Sequence, residues 1–180
     1  FAFEGDTGWL KWRSPDPTTS YQLLDRVRLL NLQGDARQEV VASNAEGPGA
    51  PMTTYDGFSG LLVAGPWTAD VLSLDVPFAS PAPETLLVGQ ASGDIVAFDP
   101  LTGVAGAVVA SFPQSVAAIG IADFDRDGTL DIAALMEHHF EIRSGETRAT
   151  IFTSPHLGYL SGTAESFLVG EFDGNSVPAI

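Results

Sequence analysis

Short apolar segments separated by turn residues recur along the whole chain. They are rich in β-branched and aromatic residues and are bounded by Gly, Pro or Asp, a pattern typical of β-strands. The strands predicted in this way are Glu39–Ser43, Gly60–Ala64, Thr85–Gly89, Asp94–Asp99, Ala107–Phe112, Ala118–Ala122, Asp131–Leu135, Phe140–Arg143 and Glu146–Phe152. The pattern therefore predicts an all-β protein.

A polar loop of one pattern recurs at regular intervals. Its clearest copy runs from Asp123 to Asp131, and the stretches from Asn31 and from Glu171 match its alternation of polar and apolar positions without a gap. A degenerate copy with a Pro-rich insertion begins at Asp75. The copies start at residues 31, 75, 123 and 171. A second marker, a Ser/Thr-Gly turn that ends an apolar strand, keeps the same phase at Thr7-Gly8, Ser59-Gly60, Thr102-Gly103 and Ser144-Gly145.

Three or four strands in each repeat of about 45 residues are the pattern of β-propeller blades. The segment Tyr21–Leu32 has a partly helical spacing of apolar residues, but its second half occupies a strand position of the repeat, so we predict a strand there. An ordinary β-sandwich with chance repetition is the alternative fold. We treat residues 1–180 as a single propeller domain or segment. Because residue 180 stops within a strand, the prediction favours part of a larger propeller over a closed four-bladed ring.

The third copy of the loop has the oxygen donors of a calcium site. Calcium binds six to eight oxygens from carboxylates and carbonyls. Gly128 permits the sharp reversal that lets such groups converge. A solvated acidic hairpin turn is the alternative interpretation. The predicted ligands are the side chains of Asp123, Asp125, Asp127 and Asp131 with the carbonyl of Thr129.

The other copies are weaker metal sites. Glu171, Asp173 and Asn175 keep three oxygen donors, but Ser176 replaces the glycine, so a second calcium site there is a weaker prediction. In the first copy only two of the four oxygen donors are charged, and an arginine lies among them. An internal polar network is the preferred interpretation for that loop, whose donors are Asn31, Gln33, Asp35 and Glu39. The copy broken by prolines is predicted to bind nothing.

Composition excludes several classes of partner. The 180 residues carry 23 Asp and Glu against 8 Lys and Arg, a formal net charge of −15. Nucleic-acid binding requires clustered basic residues that this chain lacks, so no nucleic-acid partner is expected. No apolar run approaches the length of a membrane span, so membrane insertion is not expected. The chain has no cysteine, which excludes disulfides and thiolate chemistry.

The segment Asp123–Ile132, preceded by Ile119-Gly-Ile-Ala, resembles an FG-GAP/VCBS-type repeat, the unit of integrin-α-like β-propellers. The turn Phe98–Gly103 is also similar to turns in quinoprotein-like and WD-type propellers. The FG-GAP resemblance implies calcium-binding loops on one face of a propeller, and an extracellular or cell-surface protein that recognises other molecules. Family propellers commonly have more blades than this chain can make, so further blades of the same parent chain are possible partners beside a protein or glycan ligand.

Motifs for catalysis are scarce. The sequence has no nucleophile elbow, Walker loop, zinc-protease motif or dinucleotide fingerprint. The close pairs of carboxylates all lie in the proposed ion loops. We therefore predict a non-catalytic, calcium-stabilised module for recognition, adhesion or assembly. The alternative is a scaffold or accessory domain of a secreted polysaccharide-degrading hydrolase or lyase.

Overall fold

The computed structural model describes residues 2–3, 10–12, 26–35, 37–43, 47–76 and 85–157. No helix long and apolar enough to cross a membrane occurs among these residues. They form the strands β1 (Ala2–Phe3), β2 (Leu10–Trp12), β3 (Arg26–Leu30), β4 (Glu39–Ser43), β5 (Gly47–Asp56), β6 (Leu62–Val71), β7 (Ser73–Asp75), β8 (Leu86–Gly89), β9 (Asp94–Asp99), β10 (Val104–Ser111), β11 (Ala118–Ala122), β12 (Asp131–Leu135), β13 (Phe140–Arg143) and β14 (Thr150–Thr153).

The described strands form three four-stranded antiparallel sheets and one two-stranded sheet. Strands β3 to β6 make the first sheet, β7 to β10 the second and β11 to β14 the third, and in each sheet every strand pairs with the next one along the chain. Strands β1 and β2 pair with each other. The prediction of an all-β protein is confirmed for the part of the chain that the structure describes.

Five predicted strands agree with the structure residue for residue, namely β4, β9, β11, β12 and β13. The prediction of a strand from Glu146 was wrong. That residue lies in a turn closed by a hydrogen bond from the Arg148 N–H to the Ser144 carbonyl at 3.0 Å, and β14 begins only at Thr150.

The sequence pattern also underestimated the first sheet. It did not delimit β5 and ended β6 at Ala64 rather than Val71. Prolines and glycines interrupt the strand signal in both strands, because they are poor residues for a regular ladder. The structure accommodates them with three shifts in the register between β5 and β6. The short strand β7 was also missed.

The core lies between consecutive sheets. One apolar cluster joins the first and second sheets and includes Leu30, Val41, Met52, Leu74, Leu86 and Val96. A second cluster joins the second and third sheets and includes Leu87, Ile95, Ile119, Ile121, Ile132 and Met136. Each sheet therefore packs face to face on the next one in the chain, and burial of these apolar faces supplies the main driving force for folding.

The first strands of the three sheets are neighbours, since β7 lies beside both β3 and β11. Arg28 of β3 pairs with Asp75 of β7 at 3.5 Å. The Ser73 hydroxyl of β7 donates to the Val116 carbonyl, just before β11, at 3.0 Å. Polar contacts therefore connect the sheets along the line of their first strands.

Both repeat markers lie at equivalent positions in the sheets. The loops that begin at Asn31 and Asp123 join the first strand to the second, and the Ser/Thr-Gly turns join the third strand to the fourth. In an antiparallel meander these two kinds of connection lie at the same end of the sheet. The markers therefore gather at one edge, and this edge carries the candidate site. The copy from Glu171 and the Thr7-Gly8 turn lie outside the described residues.

Candidate metal centre

Asp131 anchors the loop that joins β11 to β12. It is the first residue of β12, and its side chain is completely buried. Its Oδ2 accepts the backbone N–H groups of Phe124 at 2.8 Å and Asp125 at 3.3 Å. Its Oδ1 accepts the Gly145 N–H at 3.0 Å. One buried carboxylate therefore holds the start of the loop and also fastens it to the turn between β13 and β14.

Asp123 organises the middle of the loop. Its two carboxylate oxygens accept the N–H groups of Asp127 at 3.1 Å and Gly128 at 3.0 Å. Oδ1 of Asp125 accepts the same Asp127 N–H at 3.1 Å. These bonds turn both carboxylates toward the interior of the loop, where the backbone donors partly offset their negative charge.

Three carboxylates of the loop converge. Oxygens of Asp123, Asp125 and Asp131 all lie within 4.8 Å of one another, so the group can hold a metal ion. Partial removal of water from the Asp125 carboxylate, followed by the negative charges of Asp131, Asp127 and Asp123, raises the pKa of Asp125. A cation at this point would reverse that effect, because an opposite charge favours the ionised carboxylate. Oxygen ligands of this kind suit hard cations such as calcium, magnesium and manganese.

Asp127, which was also predicted as a ligand, is not among the converging carboxylates, and Thr129, whose predicted ligand is its main-chain carbonyl, lies in the same loop. Oδ1 of Asp127 instead accepts the Thr129 N–H at 2.7 Å, which closes a local turn. The backbone of the loop reverses through Arg126, with φ of 65°, and Gly128, with φ of 89°. The predicted weaker site of Glu171, Asp173 and Asn175 lies outside the described residues.

The loop that joins β3 to β4 contains an internal hydrogen-bond network. Glu39, 1% exposed, accepts the Leu32 N–H at 2.8 Å. The side-chain amide of Asn31 donates to the Asp35 carbonyl and accepts the Gly34 N–H, the latter at 2.8 Å. The Asn31 amide thus cross-links this loop by a hydrogen bond. Among the described residues, the oxygen atoms of this loop form no metal-binding group of three carboxylates or imidazoles.

Sequence reasoning missed the part played by Gly145. Its N–H binds Asp131, and a Cβ at this position would collide with the Leu130 carbonyl, so only glycine fits. The Ser144-Gly145 marker, which keeps the phase of the acidic loops, was the available signal. It could be recognised as a turn, but its contact with the loop depends on the pairing of β12 with β13.

Two adjacent histidines, His138 and His139, lie in the connection between β12 and β13. The ring of His138 stacks on that of His156, with centroids 4.7 Å apart. Nothing in the sequence connects these two residues, which approach only because the segment after β14 returns to this connection through a bond from the Leu157 N–H to the His138 carbonyl.

No family model and no curated protein matches the chain. Similar solved structures include two computationally designed proteins. Ika8 is 14% identical with a TM-score of 0.43, over 73% of this chain and 38% of that chain. Ika4 is 14% identical with a TM-score of 0.41, over 72% of this chain and 79% of that chain.

A third similar structure is BBS1N in complex with ARL6DN, soaked with lead. It is 13% identical with a TM-score of 0.42, over 71% of this chain and 56% of that chain. This chain therefore spans less than two thirds of Ika8 and of BBS1N. Similarity at this level assigns neither a family nor a function.

Proposed function

We propose that this chain is a calcium-stabilised β-propeller module that recognises a protein or glycan outside the cell, in adhesion or assembly, without catalysing a reaction. The observation that carries the proposal is the convergence of Asp123, Asp125 and Asp131 within 4.8 Å at the edge where the repeat loops gather.

The arrangement of the sheets supports the propeller. Propeller blades are four-stranded antiparallel sheets arranged radially around a central channel. The three sheets here have that strand order, pack face to face in chain order, and bring their first strands together. A β-sandwich would instead divide its strands between two facing sheets. The polar loop recurs in the first and third sheets and the Ser/Thr-Gly turn in all three, which also favours a propeller.

The loop chemistry supports calcium over magnesium. Magnesium requires nearly ideal octahedral geometry and keeps several waters, whereas calcium accepts flexible coordination by several carboxylates. Three carboxylates from one loop, each of them bonded to backbone N–H groups, match the second description. Calcium there would join the loop to the turn at Gly145 through Asp131, and so stiffen the edge that presents the loops.

The arrangement of a packed scaffold with loops at one end supports recognition of a ligand by this edge. The sheets provide a packed scaffold, while the loops at one end are free to differ in side chains, and binding residues are commonly found on such loops. Exposed apolar side chains also occur at this edge, including Phe58 at 67% and Leu61 at 69% exposure. A non-catalytic binding role uses these features without requiring an acid–base pair.

The proposal is tested by calcium titration of metal-stripped protein, followed by calorimetry and thermal melting. Ligand that binds only the folded state at a concentration 100 times its Kd stabilises by about 2.7 kcal/mol. We expect calcium to raise the melting temperature, EGTA to reverse the rise, and magnesium to do less at equal concentration.

Asp125→Asn should remove the calcium response, and the matched control Asp35→Asn in the first loop should keep it. A melting temperature that calcium and EGTA leave unchanged would disprove the calcium site. Recognition is then tested on protein and glycan arrays with calcium and with EGTA, where ligand binding that is indifferent to calcium would contradict a role for the loop edge.

A further inference from the structure

The described residues contain two Asp-Gly pairs, Asp56–Gly57 and Asp127–Gly128, at the same edge of the sheets. An aspartate followed by glycine is prone to isomerise, since glycine has no Cβ to shield its nitrogen from the preceding side chain. The surroundings of the two pairs differ. We propose that Asp127–Gly128 is a site of spontaneous isoaspartate formation and that Asp56–Gly57 is protected from it.

Asp127 and Gly128 are both exposed, and an added Cβ at Gly128 would meet no atom within 4 Å. The Asp127 carboxylate folds forward over the next residues of the chain, since its Oδ1 accepts the Thr129 N–H at 2.7 Å. This fold brings the carboxyl group alongside the intervening Gly128 amide. The Gly128 N–H itself points at Oδ2 of Asp123, at 3.0 Å. A carboxylate is therefore positioned to take the amide proton.

The reaction begins when the Gly128 nitrogen bonds to the side-chain carboxyl carbon of Asp127 and its proton passes to Asp123. A carbon–oxygen bond of that carboxyl group breaks, and the oxygen leaves as water with this proton and one from solvent. The product is a cyclic succinimide. Water then adds to the main-chain carbonyl carbon of Asp127, that carbon's bond to the Gly128 nitrogen breaks, and a proton returns to solvent. No electrons are exchanged, and the net change is an isomerisation.

Asp56–Gly57 lacks these features. Oδ1 of Asp56 accepts both the N–H and the hydroxyl of Ser59, at 2.5 and 2.6 Å, which holds the carboxylate beyond Gly57. The Gly57 N–H donates to the Gln38 carbonyl at 3.1 Å, and an amide carbonyl is a far weaker base than a carboxylate. A Cβ at Gly57 would collide with the same carbonyl, so this glycine has little room to move.

Isomerisation at Asp127 would dismantle the loop. The main chain would run through the former side chain, which inserts one methylene group before Gly128. The Gly128 N–H could then no longer keep its bond to Asp123 while the Asp127 N–H keeps its bonds to Asp123 and Asp125. Calcium bound to Asp123, which rests on the proposed function, would occupy the carboxylate that takes the proton. Calcium would therefore slow the isomerisation.

To test this proposal, metal-stripped protein is incubated for an extended time at physiological pH and temperature. Isoaspartate at each Asp-Gly pair is then quantified by peptide mapping with electron-based fragmentation. We expect isoaspartate at residue 127 to accumulate several-fold faster than at residue 56. Equal rates at the two positions, or no isoaspartate at residue 127, would overturn the proposal. Asp127→Glu should abolish the signal at 127 and leave that at 56, because glutamate does not readily form the corresponding ring.

A parallel sample aged with excess calcium separates this inference from the proposed function. Isoaspartate at residue 127 in the metal-free sample supports the modification site whether or not calcium binds. Slower formation with calcium supports a cation at Asp123, and an unchanged rate with calcium counts against that cation alone.

Discussion

The loop at Asn31–Glu39 and the loop at Asp123–Asp131 share one backbone plan and differ in charge. Each joins the first strand of a sheet to the second, and each ends on a buried carboxylate, Glu39 or Asp131. In both loops this carboxylate accepts the N–H of the second loop residue at 2.8 Å. In both, the aspartate at the fifth position accepts the N–H of the seventh residue at 2.7 Å.

Of the oxygen-bearing side-chain positions, the first and the third differ in charge between the two loops. In the first loop these are Asn31 and Gln33, and the Asn31 amide donates to a carbonyl of its own loop. In the third sheet they are Asp123 and Asp125, which have no proton to donate when ionised. The same backbone plan therefore holds amides at these positions in one loop and carboxylates in the other, and carboxylates are ligands suited to a cation.

Replacing the buried carboxylate should have the largest effect on this comparison. Asp131→Ala deprives three N–H groups of their acceptor, whereas among the described residues Glu39→Ala deprives the N–H of Leu32. A buried donor left without an acceptor costs about 1–3 kcal/mol. We expect Asp131→Ala to lower the free energy of unfolding more than Glu39→Ala, as measured by urea denaturation in EDTA. An equal or larger loss for Glu39→Ala would contradict the account of Asp131 as the anchor of its loop.

A loop exchange tests whether charge alone decides metal binding. Replacing Asn31–Glu39 by the sequence of Asp123–Asp131 supplies the missing carboxylates on a backbone that already has the same hydrogen bonds. We expect calorimetry to detect one more calcium ion per chain than in the parent protein. The reverse exchange should remove one. An unchanged stoichiometry in a folded variant would show that the neighbouring turn, rather than loop charge, sets the affinity.

The fourth loop position gives a smaller, energetic test. Gly34 and Arg126 both adopt the left-handed conformation, with φ of 72° and 65°. That conformation is unfavourable for residues with a Cβ by about 1–2 kcal/mol. Gly34→Ala should therefore destabilise by roughly 1 kcal/mol, partly offset by the lower entropy of its unfolded chain. Arg126→Gly should be neutral or stabilising in thermal melts, and a marked loss of stability in Arg126→Gly would refute strain at this position.

The smallest expected effect is on pH dependence. Loss of water around the carboxylate and the charges of Asp131, Asp127 and Asp123 raise the pKa of Asp125 above 3.8 in the metal-free protein. The folded state then binds a proton that the unfolded chain has lost, so stability falls as pH rises from 3.8 through the raised value. Asp125→Asn should remove this component of the pH profile, which Gln33→Asn should leave intact. An identical profile for Asp125→Asn would show that the carboxylate does not titrate in this way.

Much of the fold could be predicted from the chain because strand pairing is local. Alternating or continuous apolar residues bounded by turn residues located β4, β9, β11, β12 and β13 to the residue. Prediction failed where the local signal was broken, as in β5 and β6, whose prolines and glycines are accommodated by shifts in register. It also failed at Glu146, because this residue lies in a hydrogen-bonded turn and the strand begins only at Thr150.

The candidate site divides in the same way. The acidic positions of the loop and the reversal at Gly128 could be read from residue types and spacing. The sequence did not distinguish Asp127, which caps its own turn, from Asp125, which joins the converging group. Because the acidic residues alternate along the loop, the sequence predicts both side chains as metal ligands. Only the path of the backbone through Arg126 and Gly128 separates them.

The sequence by itself determined the all-β character, the phase of the repeats and the loop that contains the carboxylates, because each depends on residues adjacent along the chain. The tertiary structure decided which sheets share a core and which carboxylates meet. It also decided that Asp131 is buried and bound to Gly145, fourteen residues away. These features depend on the pairing of β12 with β13 and on the packing of one sheet on another, which bring together groups that are distant in sequence.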